Sequence, residues 1–180
     1  MSSFLKVFLI ILIILLLIPL QYIFVQFKLK NRIYIPIFFH RILLKILGIK
    51  VKLIGQNTSA RPLILAGNHT SYLDIIILGS IMPICFIAKE DIKHWFLFGF
   101  LAKMQNTIFI KRKNYKTLES LNSINKELAN NSAVVLFPEG TTNTGKKVLN
   151  FKSSLFNLFE NNNTLRLQNF SLCYTHVNDM

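Results

Sequence analysis

His69 and Asp74 bracket four residues in the run Asn68-His69-Thr70-Ser71-Tyr72-Leu73-Asp74, just past the apolar stretch 62–66. An imidazole can take up a proton near neutral pH. A carboxylate bonded to its other nitrogen fixes the tautomer and stabilises the cation that forms. Five positions along a regular helix turn a side chain by about 500°, leaving the two about 140° apart. Pairing therefore requires His69 on a loop and Asp74 in the first turns of the next helix, with Thr70 or Ser71 at its cap. A second cluster, Phe137-Pro138-Glu139-Gly140-Thr141, ends the apolar stretch 133–137, and Arg112 ends another at 107–111. His, Glu and Arg at three strand ends describe one cleft, because sites in open α/β sheets gather at the carboxyl ends of strands.

On spacing alone, His-x4-Asp is a weak signal. Ser71 lies close by, but the chain has no G-x-S-x-G turn to present a serine nucleophile. The base is therefore expected to act on a hydroxyl of the substrate, a step worth about 10²–10⁴ in rate. An acyl thioester is a suitable electrophile for the resulting alkoxide, and backbone N–H groups around Gly140 are the expected oxyanion donors. No third ligand accompanies the pair and the surroundings are cationic, so no metal is expected. Cys85 and Cys173 sit in apolar runs without metal spacing and read as reduced, buried thiols.

The elements that must hold these residues follow from pattern. Residues 7–27 carry no charge and are long enough to cross the hydrocarbon layer, which takes about 20 apolar residues. No small-residue cleavage site follows, so an uncleaved anchor is expected rather than a signal peptide. Residues 33–49 carry apolar and basic positions on different helical faces, as in a helix covering the domain's core or one lying in the membrane interface, and the position directly after an anchor favours the interface. Short strands are expected at 51–54, 62–66, 84–88, 107–111, 133–137 and 165–174. Helices are expected at 73–81, 91–104, 115–129 (capped by Asn114) and 152–160. The alternation predicts an α/β domain with a central mixed sheet flanked by helices. The division is 1–32 as anchor and basic flank, 33–50 as interfacial helix, and 51–180 as catalytic domain.

The net charge is +13, and no acidic residue precedes Asp74. Basic residues flanking an apolar segment favour the cytoplasmic side and attract anionic headgroups. Lys28, Lys30 and Arg32 outweigh Lys6, which places the domain on the cytoplasmic face of the cell membrane. No nucleic-acid-binding motif accompanies the charge, so nucleic acid is not an expected partner.

Three blocks, Asn68-His69-x4-Asp74, Phe109-Ile110-Lys111-Arg112 and Phe137-Pro138-Glu139-Gly140-Thr141, stand in the order and spacing of the glycerolipid acyltransferases, best known from the 1-acylglycerol-3-phosphate O-acyltransferases. The run Phe151-Lys152-Ser153-Ser154-Leu155-Phe156 resembles that family's following segment, and the resemblance extends over 61–174. It implies transfer of a fatty acyl group from acyl-CoA or acyl carrier protein to the hydroxyl of a lysolipid, 1-acylglycerol-3-phosphate before others, with no cofactor. It makes His69 the general base and Asp74 its partner. Arg112 would contact the acceptor phosphate, while Glu139, Gly140 and Thr141 would shape the acceptor pocket. The aromatic stretch 95–100 would line an acyl channel or fill the core. Three positions depart from the family pattern: Lys111 for an aspartate, Thr142 for an arginine, and Asn169 for a proline. Thr142 brings in a lyso-ornithine lipid or another lysophospholipid as alternative acceptor. The end at Met180 brings in a truncated, inactive membrane-surface relative.

Overall fold

A computed structural model describes residues 2–110, 118–130, 132–152 and 164–175. Arg112, Asn114 and, apart from Lys152, the helix expected over 152–160 lie outside the described residues.

Strands covered on both faces read as continuous apolar runs. Five strands pair here: β1 (Leu63–Gly67), β2 (Cys85–Lys89), β3 (Ile108–Ile110), β4 (Ala133–Leu136) and β5 (Arg166–Phe170). Their order is β3-β2-β4-β1-β5, and every described pairing is parallel. The α/β architecture is the expected one, with a parallel sheet in place of a mixed one. Helical crossovers join β1 to β2, β2 to β3 and β3 to β4, and a crossover returns the next strand in the same direction.

All of β4 and the first four residues of β1 are buried, and side chains alternate between two cores. Ile64, Val134 and Leu136 pack with Ile124 and Leu128 of α5 (Leu118–Ala129) on one face. Leu63, Leu65 and Val135 pack with Leu78 of α3 (Leu73–Ile81) on the other. Beyond α3 lies α2 (Tyr34–Leu47), and beyond α2 lies α1 (Ser3–Gln26). With a mean hydropathy of 3.0, α1 is long and apolar enough to cross a membrane. Its buried residue is Gln21, whose Nε2 donates to the Met104 carbonyl at 2.8 Å, docking the last turns of α1 onto α4 (Phe98–Met104).

Three expectations need correction. Residues 51–54 form no strand: β1 is paired on both sides, by β4 and β5, and Val51, Leu53 and Ile54 are left exposed. The helix expected over 91–104 is broken into a 3₁₀ turn, Glu90–His94, and α4, by a turn in which Leu97 adopts φ +46°. The break falls at 95–97, and helix resumes at Phe98 through Gly99 and Phe100. Cys173 is exposed rather than buried. Cys85 is buried as expected, and burial, with the Glu127 carboxylate nearby, pushes its thiol up to about 12.

Candidate active site

Parallel pairing brings three carboxyl ends together. Ala66 of β1 is in register with Leu136 of β4, and Gly67 with Phe170 of β5. The loops leaving these strands carry His69, Glu139 and Tyr174. The Asn68 side chain clamps two of them, its Nδ2 donating to the Leu172 carbonyl at 2.8 Å and its Oδ1 accepting the Leu172 N–H at 2.7 Å.

His69 sits on the loop and Asp74 in the first turn of α3, the arrangement demanded by their spacing. The His69 Nδ1 lies 2.8 Å from Asp74 Oδ2. That oxygen also accepts the backbone N–H groups of Thr70 at 2.7 Å and Ser71 at 3.0 Å. The Tyr174 hydroxyl donates to Oδ1. Asp74 is entirely buried. Burial alone would raise its pKa, but the combined donations from His69, Tyr174, Ser71 and Thr70 outweigh it and hold the carboxyl below its ordinary value. Its place at the start of a helix adds to this. Conversely, burial and the neighbouring Asp74 push the Tyr174 phenol up, so it remains a donor.

An acceptor-only carboxylate at Nδ1 makes that nitrogen the N–H donor and leaves the Nε2 lone pair free to receive a proton. The imidazole stacks on Phe137, centroids 4.2 Å apart and planes at 16°, and its side chain keeps 15% of its surface open. A base with a fixed tautomer, a buried counter-charge and one accessible nitrogen is equipped to deprotonate a hydroxyl.

Glu139 is buried, but it faces its own loop. Its Oε2 accepts from Asn143 Nδ2 and from the Leu149 N–H at 3.2 Å. Gly140 takes φ +67°, a turn conformation suited to glycine, and its N–H donates to the Phe137 carbonyl at 2.9 Å. That N–H is spent on the turn, so the expectation of an oxyanion donor at Gly140 itself is not met. Thr141 is half-buried, and Arg112 lies outside the described residues. No group of three or more potential metal ligands occurs among the described residues.

Two contributors were missed in the sequence. Asn143 joins the loops, its N–H donating to the His69 carbonyl at 3.0 Å and its side chain holding Glu139. Tyr174 completes the carboxylate from the loop after β5, 100 residues away. The available signal for Tyr174 was a polar aromatic shortly past a candidate strand, informative only once that strand is placed beside β1.

A parallel sheet carrying a hydrogen-bonded His–Asp pair at its strand ends defines an α/β domain with a candidate acid–base site. Comparison with known proteins narrows it. A family model described as Acyltransferase matches residues 49–166, and the chain belongs to that family. The lyso-ornithine lipid O-acyltransferase of Rhizobium meliloti is 41% identical over 143 residues, 79% of this chain and 49% of the relative. The 1-acyl-sn-glycerol-3-phosphate acyltransferase of Neisseria gonorrhoeae is 34% identical over 106 residues, 57% and 42% of the two chains. The chain thus spans about half the length of the curated relatives it matches. A crystal structure of a 1-acyl-sn-glycerophosphate acyltransferase from Thermotoga maritima shares the fold, with TM-score 0.64 and 21% identity over 86% of this chain and 66% of that one.

Proposed function

We propose that this chain is a membrane-bound lysolipid O-acyltransferase. The carrying observation is the buried Asp74 carboxylate 2.8 Å from His69 Nδ1, which leaves Nε2 as the accessible base. His69 takes the proton of the lysolipid hydroxyl as its oxygen attacks the thioester carbonyl of acyl-CoA or an acyl carrier protein. Asp74 stabilises the imidazolium. Collapse of the tetrahedral intermediate expels the thiolate, which takes the proton back from His69. The acyl group ends on the lipid oxygen, and no covalent enzyme intermediate forms.

Glu139, Gly140 and Thr141 form the loop against which the acceptor lies, and Arg112 supplies a guanidinium for an anionic headgroup. Two acceptors fit the family, 1-acylglycerol-3-phosphate and a lyso-ornithine lipid. The greater identity to the lyso-ornithine lipid enzyme, over more of this chain, and Thr142 in place of a phosphate-binding arginine both support the second.

Residues 1–32 serve as anchor and basic flank, 33–50 as the interfacial helix and 51–180 as the catalytic domain. Docking of Gln21 on Met104 supports an α1 retained with the domain rather than removed as a leader. The excess of Lys28, Lys30 and Arg32 over Lys6 supports a cytoplasmic catalytic face. The test is labelled acyl transfer by membranes bearing the chain, with acyl-CoA and acyl carrier protein as donors and both lysolipids as acceptors. Transfer to the lyso-ornithine lipid in excess of lysophosphatidate is the expected result. Absence of transfer to either sinks the proposal.

A further inference from the structure

The aromatic stretch that the sequence offered to an acyl channel or to the core does not fill the core. Phe96 is 95% exposed, Phe98 67% and Trp95 49%, and Phe100 is exposed beside them. Monomeric soluble proteins rarely leave contiguous aromatic surface of this kind bare. The turn is nonetheless built rather than frayed. The Trp95 N–H donates to the Ile92 carbonyl at 3.1 Å, and the Gly99 N–H to the Trp95 carbonyl at 2.9 Å. A Cβ at Gly99 would stand 2.4 Å from the Lys93 carbonyl oxygen, so glycine is what lets α4 close on the 3₁₀ turn. Leu97, half-buried at φ +46°, is bent so that Phe96 and Phe98 on either side point outward.

Its neighbourhood identifies the partner. α4 packs on α1, and Met104 at the far end of α4 holds Gln21 of α1. The seven residues of α4 span roughly 10 Å, so the aromatic tip lies about one short helix from the shaft of α1. Exposed Lys93 and His94 flank it, with exposed Asp91 before them. Tryptophan and other aromatics beside a lysine suit the headgroup level of a bilayer, where the rings sit among chain ends and glycerol and the ammonium group meets anionic lipids.

We propose that Trp95, Phe96 and Phe98 form a second membrane-contact element, a tip that enters the bilayer interface beside α1 and fixes the tilt of the catalytic domain on the lipid surface. The proposal rests on α1 being a membrane anchor. It adds a contact made by the catalytic domain itself, which keeps the strand-end site at a constant height above the lipid it uses.

Trp95 is the chain's lone tryptophan, so its emission reports the tip without background. The full chain is reconstituted into vesicles of phosphatidylethanolamine and phosphatidylglycerol and collected by flotation, which tests the anchor separately. In the floating fraction, the expected result is a blue-shifted Trp95 emission, protected from aqueous iodide and largely lost when the lipids carry bromine on the upper part of their chains. A Phe96→Ser/Phe98→Ser variant should still float but lose much of that quenching; if it does not fold, the wild-type quenching alone decides. Emission that stays iodide-accessible and indifferent to bromine in a floating chain overturns the tip and leaves the anchor standing. Iodide protection without bromine quenching, growing with protein density, assigns the surface to a second copy and equally overturns it. A chain that fails to float removes the anchor and the tip together.

Discussion

A buried carboxylate that accepts four hydrogen bonds stays charged because its donors together outweigh the cost of burial, and in the proposed mechanism the Asp74 charge is what equips His69 as the base. His69→Ala removes the base while leaving the Asp74 cage to Tyr174, Thr70 and Ser71. Turnover should fall by about 10²–10⁴, with a melting temperature close to wild type; an unchanged rate in a folded variant takes His69 out of the mechanism. Tyr174 acts through Asp74 and is a positioning residue. A hydrogen bond to a charged group contributes about 1.5–3 kcal/mol, and Tyr174→Phe withdraws it from Oδ1. With one donor gone, Asp74 holds the His69 ring less firmly, and turnover should drop about tenfold with KM for both substrates and the melting temperature close to wild type. A purely structural role would instead lower the melting temperature and leave the turnover of the folded fraction unchanged.

At the scale of elements, α2 and α3 meet through an imidazole. His40 is buried on α2, its Nε2 3.1 Å from Gln105 Oε1 and its ring against Gly79 of α3, while Nδ1 has no hydrogen-bond partner among the described residues. Burial lowers its pKa from 6.5, and the Gln105 bond opposes this only in part. The unfolded chain therefore binds this proton more readily than the folded one. Stability is fully present above 6.5 and is lost as pH falls from there through the folded value, by up to about 1.4 kcal/mol per pH unit. The melting temperature in detergent should fall between about pH 7 and pH 5 more steeply for wild type than for His40→Gln; parallel curves would remove His40 as the source. Legibility in the sequence follows the same divide between local and distant. β1, β2 and β4 could be read because strands covered on both faces are continuous apolar runs. His69 and Asp74 could be paired because one loop and one helical turn join them. Tyr174 could not, since its contact depends on β5 lying beside β1 rather than on anything near it in sequence. The run 51–54 has strand composition without a strand, and β1 is paired on both sides by β4 and β5. The break at Leu97 escaped notice because apolar periodicity continues through it, although the side chains face outward.

On the proposed reading the chain holds a membrane by charge and by apolar surface, and salt separates the two. Its charge is +13, and nine basic residues precede Asp74, the first acidic one. Such charges attract anionic lipids by about 1 kcal/mol each near the surface, and this attraction is screened once the Debye length shrinks to about 3 Å near 1 M salt. α1 works differently. From Ser3 to Leu20, ahead of the Gln21 contact, it is about 27 Å long at 1.5 Å per residue. That nearly matches a hydrocarbon layer of about 30 Å, and Phe4, Leu15 and Leu16 are exposed for lipid contact. Transfer of apolar surface from water does not weaken with ionic strength as charge attraction does. Membranes bearing the full chain should therefore retain it in the pellet at about 1 M salt and release it only to detergent. Deleting residues 2–20 keeps Gln21 on Met104 but leaves basic attraction and the aromatic tip as the remaining hold, and should turn the protein into one that salt extracts in large part. Release of the intact chain by salt alone would mean that α1 packs against protein rather than lipid, and the anchor would have to be abandoned.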